Sequence, residues 1–393
     1  LVLHNYMDFD DLKDYVKISY ELTQDGLVIS KGILPEFSVA PHSEGKTNLQ
    51  VNVPENGKCY LKLTYHLKKE MPLLEEDYIL GFDEIEVSQK DAKCQLAEKW
   101  FEKTVTDSEL QVSEDDTQIH IKGREFAYTI DRRTALFTEM KFAGREYLNH
   151  PMELNIWRAP TDNDMYIKSE WKKAHYDKAY TRAYTTEVVQ GKHGVKITSH
   201  ASVVAETVQK ILDVTITWKI EAAGKIDADI AVTKDDEFPD LPRFGVRMFL
   251  DKKLSAARYF GMGPQESYCD KHQAASHGLY HANVDDLHED YIRPQENGSH
   301  YDCEHVELNN SRYGIVVSAE NAFSFNASYY TQEELEKKTH NYELTESDSV
   351  VFCVDYALNG IGSNSCGPVV LDQYRFDDVL FRFQFTLIPY VKG

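Results

Sequence analysis

The sequence predicts an all-β protein made of two successive β-sandwiches. The first observation behind this is a dominant period of two. Leu61, Leu63, Tyr65 and Leu67 alternate with Lys62, Thr64 and His66, and Val214, Ile216, Trp218 and Ile220 alternate with Thr215, Thr217 and Lys219. Ile226, Ala228, Ile230 and Val232 repeat the pattern, and Phe381, Phe383, Phe385 and Leu387 close the chain with it. Such runs are half-buried strands, one face inward and one in water. The second observation is the turn signals between them, such as Asn56-Gly57 and Ala223-Gly224. The third is how little of the chain carries a helical period.

Residues 1–90 form a compact all-β unit of immunoglobulin-like size, with strands predicted at 15–21, 26–32, 47–53 and 58–66. A charged stretch, 91–114, reads as a linker. Residues 115–393 form one large sandwich, too long for a single immunoglobulin-like unit. No repeat of a propeller or solenoid is present. Two short helices are expected. One covers 168–178, with Trp171, Ala174 and His175 on one side. The other covers 332–338, where Thr331 and Glu334 have capping-box spacing.

Composition narrows the function. Hydrophobic residues make up 42% of the 393, and 24 Tyr and 18 Phe accompany a net charge of −22, so this is not a disordered acidic tail. An acidic surface repels phosphate backbones, which argues against nucleic-acid binding and suits neutral ligands such as sugars. The chain starts at Leu1, directly in strand-like sequence, and reads as a piece of a longer protein. No signal peptide and no apolar run of membrane-spanning length is visible. Six scattered cysteines without a C-x-x-C fit reduced thiols in a cytoplasmic protein better than a disulfide scaffold. The sequons at Asn297, Asn309 and Asn326 are then chance.

Several motifs have a bland reading that prevails. Gly261-Met-Gly263 and Gly360-Ile-Gly362 lack the third glycine and the βαβ setting of a dinucleotide site. Cys269, His272 and His277, with Cys303 and His305 beyond, lack the paired spacing of a structural zinc site. Glycoside hydrolysis needs two carboxyl groups at a defined separation. Asp162 and Asp164 are close in sequence, but in a Pro-Thr-Asp-Asn-Asp turn they read as structural Asx residues. No pair stands out as catalytic. Trp157 and Trp218 read as core, and Trp171 stays open between core and sugar stacking. The loop Asn359-Gly-Ile-Gly-Ser-Asn-Ser-Cys-Gly-Pro368 packs glycines, small polar groups and a proline after an apolar strand. It is either a tight connection or a place where backbone approaches a ligand.

Five strings in order resemble the final, large domain of family 2 β-galactosidases: Asn155-Ile-Trp-Arg-Ala-Pro-Thr-Asp-Asn-Asp164, Gly261-Met-Gly-Pro-Gln-Glu-Ser-Tyr268 with Asp270, Arg293-Pro-Gln-Glu-Asn-Gly298, Phe323-Ser-Phe-Asn-Ala-Ser-Tyr329, and the 360–368 loop. Asp8-Phe-Asp-Asp-Leu12 is similar to the opening strand of the immunoglobulin-like domain that precedes it in the family. The resemblance implies a galactose-mutarotase-like supersandwich over 115–393. It implies a parent enzyme that hydrolyses terminal β-D-galactosides such as lactose and is a homo-oligomer at full length. The catalytic glutamates, and the Mg and Na sites, would lie in an upstream TIM-barrel domain of the same polypeptide, so no catalytic residue and no metal is assigned to this chain. In the family, a tryptophan of the loop matching 360–368 lines the aglycone side of the cleft. This loop is one residue shorter and places Cys366 there, so Cys366, Asn364 and Ser363 are the candidate substrate-edge residues. The alternative readings are a carbohydrate-binding module or a mutarotase-like isomerase using a His and an acid such as His305 and Glu307.

Overall fold

The computed structural model describes residues 1–90, 92–96 and 110–392. The protein is all-β, and the chain divides into two compact units, Leu1–Lys99 with His277–Leu279, and Trp100–Ser276 with Tyr280–Gly393. Most of the expected linker, residue 91 and 97–109, lies outside the described residues. Its last residues are already strand: Gln111–Glu114 pairs with Gln118–Lys122 and places Val112 opposite Ile121.

The first unit is a sandwich of immunoglobulin-like size. Its four-stranded antiparallel sheet runs in the order Leu27–Ile33, Val16–Gln24, Cys59–Leu67, Ile79–Glu86, and a pair, Val2–Asn5 with Ser43–Lys46, forms the second sheet. Alternation explains the central strands: Leu61 and Leu63 are buried with Ile18, Val16 and Leu3. Two expectations change. Residues 47–53 are not a strand, because the pairing of Ser43–Lys46 ends where Thr47 N donates to Leu1 O. Residues 8–12 are not the opening strand either. They bend into the one-turn helix Leu12–Tyr15, whose Lys13 amide is met by the Asp11 carboxylate.

The second unit packs a five-stranded sheet and a twelve-stranded sheet around one core. The sheets are joined by polar contacts as well as packing. Trp218, fully buried on Leu212–Glu221, donates from Nε1 to Ala135 O at 2.8 Å, and Tyr128 OH donates to Gly224 O at 2.7 Å. The path of the larger sheet includes Leu148–Asn155, Arg243–Asp251, Ser349–Leu358, Tyr313–Ser328 and Leu380–Val391 in that order. Tyr313–Ser328 changes partner along its length: 313–318 pair with Leu380–Val391, and 324–328 with Ser349–Leu358. Its other edge pairs with Ser299–Asn309.

The helices are shorter than predicted. The first, Ile167–Lys173, stops early, and His175 takes a left-handed φ of 57°. That reversal lets Trp171 Nε1 and Tyr176 OH reach the neighbouring carbonyls of Asp240 and Pro239 at 2.9 and 2.7 Å. Tyr176, not His175, is therefore the buried residue. The second, Gln332–Lys337, is capped by Thr331, whose hydroxyl accepts from Glu334 N at 3.1 Å. Glu334 completes no box, since its carboxylate accepts from Thr345 N instead.

Candidate functional site

Four of the five sequence strings meet at one place in the second unit, around the base of the 359–376 loop. Arg158 is fully buried. It pairs with Asp164 at 2.6 Å and donates to the carbonyls of Asn359 and Gly360. Asp164 also accepts from Thr161 N at 2.9 Å, which is the structural role expected of it, while Asp162 is exposed. Asn163 Nδ2 donates to Ile361 O at 2.5 Å. From the second string, Asp270 accepts from Ile361 N and Gly362 N at 3.0 and 2.8 Å. Gly360 is required for this approach: a Cβ there would stand 2.7 Å from the Asp270 carboxylate. The loop's two ends are tied together, with Gly360 N donating to Tyr374 O at 2.8 Å and Phe376 N to Asn359 Oδ1 at 2.8 Å.

A second buried ion cluster underlies the first. Arg243 meets Asp355 through two nitrogens at 3.0 and 2.5 Å and Glu296, from the third string, at 2.7 Å. Glu296 also accepts from Ala159 N at 3.1 Å. Burial raises the Asp355 carboxyl to about 6 against the pull of Arg243. The same burial opposes the Arg243 charge, yet Asp355 and Glu296 raise Arg243 well above its ordinary value. The two-pronged geometry identifies the pair as ionised. Nearby, Glu266 accepts from Gly298 N at 2.8 Å and binds Lys271 and Tyr291. His300 Nδ1 donates to Met262 O at 3.2 Å, and burial lowers the ring's pKa to about 4. Burial, reinforced by Asp270, raises the Cys269 thiol to about 11, so it is inert; its sulfur faces Leu358 O and Tyr374 O.

The tip of the loop differs. Cys366 is exposed, Ser363 and Asn364 are half-buried, and Asn364 has a left-handed φ of 91°. Val369 and Leu371 follow at 71% and 60% exposure. The three candidate residues thus lie on the part of the loop that follows this fixed base. Sequence reasoning missed the arginines that hold the base. The available signal was Asp355, a lone carboxylate inside the apolar run Val350-Val-Phe-Cys-Val-Asp355, which demands a buried cation.

The other motifs have structural places. Trp157, Trp171 and Trp218 are all core. Asn297 and Asn326 are buried, with Asn326 Nδ2 donating to Asn297 O at 2.6 Å. His305 and Glu307 are 1% and 3% exposed, and Glu307 is held by the Tyr390 hydroxyl, so neither reaches a ligand. Among the described residues no group of three or more His, Cys, Asp or Glu is placed to hold a metal ion. No helix among them is long and apolar enough to cross a membrane.

The family model described as β-galactosidase small chain matches residues 122–387, and that of β-galactosidase domain 4 matches residues 1–88. The chain belongs to the β-galactosidase small-chain family. It is 43% identical over 390 residues to a β-galactosidase of Actinobacillus pleuropneumoniae and 30% identical over 392 residues to one of Staphylococcus xylosus. These alignments cover 99% and 98% of this chain but 38% of each relative, so the chain spans well under half the length of the relatives it matches. A solved galactose 1-epimerase from Lactobacillus acidophilus NCFM aligns over 74% of this chain and 100% of its own, at 8% identity and a TM-score of 0.36.

Proposed function

We propose that this chain is the non-catalytic closing part of a β-galactosidase. It presents the 359–376 loop to a substrate cleft whose two hydrolytic carboxylates belong to another part of the same polypeptide. The observation that carries this reading is the contrast within the loop. Separate segments of sequence lock its base with buried ion pairs and backbone hydrogen bonds, while its tip projects exposed apolar and small polar groups. A loop held this firmly is pre-organised for a partner surface. On this reading Cys366, Asn364 and Ser363 edge the aglycone side of a β-galactoside such as lactose. The Mg and Na ions belong with the catalytic part, and the full-length enzyme assembles as a homo-oligomer. A thiol offers no flat face for stacking, so leaving-group preference is broader than with an aromatic residue. The test is a colorimetric galactoside assay on the purified chain. The expected result is no turnover above buffer, and clear turnover would contradict the assignment of the carboxylates elsewhere.

The isomerase reading is disfavoured by the enclosure of His305 and Glu307, which leaves no approach for a sugar.

A further inference from the structure

The twelve-stranded sheet opens where Tyr313–Ser328 leaves one partner for another, and residues 319–323 pair with neither Leu380–Val391 nor Ser349–Leu358. On the opposite edge the ladder to Ser299–Asn309 slips twice, between His300 and Cys303 and between Cys303 and His305. Within the first slip Asp302 takes a left-handed φ of 54°. Bulges of this kind bend a strand and re-aim its side chains, and they are concentrated beside binding sites. A cavity of about 400 Å³ lies at this fork. That falls in the range of small-molecule sites, about 300–1,000 Å³.

The lining has a definite chemistry. Tyr301, Tyr356 and Tyr374 supply aromatic surface, and Asn321, Gln373 and Asp378 supply amide and carboxylate groups. Two of the rings are braced by neighbours: Tyr301 stacks on His272 with centroids 5.9 Å apart, and Tyr356 on Phe381 at 4.9 Å. Burial raises the pKa of both hydroxyls, so they stay protonated donors. Fixed ring faces match the C–H face of a pyranose, and the amides and carboxylate exchange hydrogen bonds with its hydroxyls. Charge sorts among sugars. Arg375, the one cation among the described lining residues, is clamped by Asp240 at 2.8 and 3.1 Å, while Asp302 and Asp378 are acidic. An anionic sugar or a phosphate would meet carboxylates without a free cation.

We infer that this cavity binds a neutral pyranoside, seated against Tyr301, Tyr356 and Tyr374, with Asn321, Gln373 and Asp378 reading its hydroxyls. The inference takes from the proposed function only the choice of a galactoside as probe. Saturation-transfer NMR titration of the 393-residue chain tests it, with lactose as the neutral ligand and galacturonate as its anionic counterpart. Lactose is expected to saturate with a Kd of about 1 mM, and galacturonate to bind at least about tenfold more weakly. Tyr301→Ala raises the lactose Kd about tenfold or more, with near-ultraviolet circular dichroism checking the fold. Gln373→Ala, at an exposed position that does not threaten folding, raises it about threefold. No saturable signal up to about 50 mM lactose overturns the inference. So does equal binding of galacturonate, or binding that survives Tyr301→Ala and Gln373→Ala but is lost in Cys366→Ala. Lactose binding in a chain that fails to restore hydrolysis to its parent would support this site and count against the proposed function alone.

Discussion

At the base of the 359–376 loop, Arg158 and Arg243 are fully enclosed and direct their donors at carboxylates and carbonyls. A few residues further along, Val369 and Leu371 stand 71% and 60% exposed beside an unpaired Cys366. The difference separates two tasks. Charges buried at the base fix where the loop leaves the sheet, because removing either member of a pair leaves the other uncompensated in a dry interior. Side chains at the tip such as Cys366, Val369 and Leu371 are exposed, so changing them costs little packing. Stability is thereby concentrated in one half of the loop, and the recognition proposed for it falls to the other.

The predictions test that separation. Arg243→Leu should cost about 3–5 kcal/mol, since it strands both Asp355 and Glu296. The urea midpoint of the second unit reads this, and a loss under about 1 kcal/mol would remove the cluster from its role. Asp270→Ala should cost about 1.5–3 kcal/mol through two hydrogen bonds to a charged acceptor. Hydrogen exchange at the amides of Ile361 and Gly362 should accelerate together with it. If those amides keep their protection, the loop is held by something other than its base.

Acid should act on the second unit as well. His300 is neutral in the fold, with its pKa lowered to about 4 by burial. In the unfolded chain it takes up a proton near pH 6.5. Its contribution to stability is therefore fully present above that pH and is lost as pH falls toward 4, by up to about 1.4 kcal/mol per pH unit. Replacing His300 with Asn should reduce the pH slope of the urea midpoint by about one proton. An unchanged slope would contradict the assignment. The smallest stability effect belongs to the tip: Cys366→Trp should change the midpoint by no more than about 0.5 kcal/mol. In the assembled enzyme the same substitution should lower KM for aryl galactosides about two- to tenfold. An unaltered KM would separate the tip from the cleft.

Much of this was readable from local pattern. Period-two alternation locates Ile226–Lys234 and Leu380–Val391 because a strand's burial repeats every second residue. The ordered strings pointed to the loop and to the segments that hold it. Partner identity was not readable: Arg158 reaches Asn359 across 201 residues and Arg243 reaches Asp355 across 112, and no local period encodes such distances. The pattern at 168–178 predicts too long a helix because its end is set by Trp171 and Tyr176, which bond carbonyls on another segment. The fork lined by Tyr301 and Tyr356 is a property of strand pairing, which the sequence of neither strand contains.

The most direct test of the central claim is complementation. The chain is mixed with the separately produced remainder of its parent polypeptide, and galactoside hydrolysis is followed in each component and in the mixture. The account predicts turnover only in the mixture, and its reduction when the chain carries Asp270→Ala. Full activity in the remainder alone would contradict it, making this segment an appendage and its loop no part of the cleft.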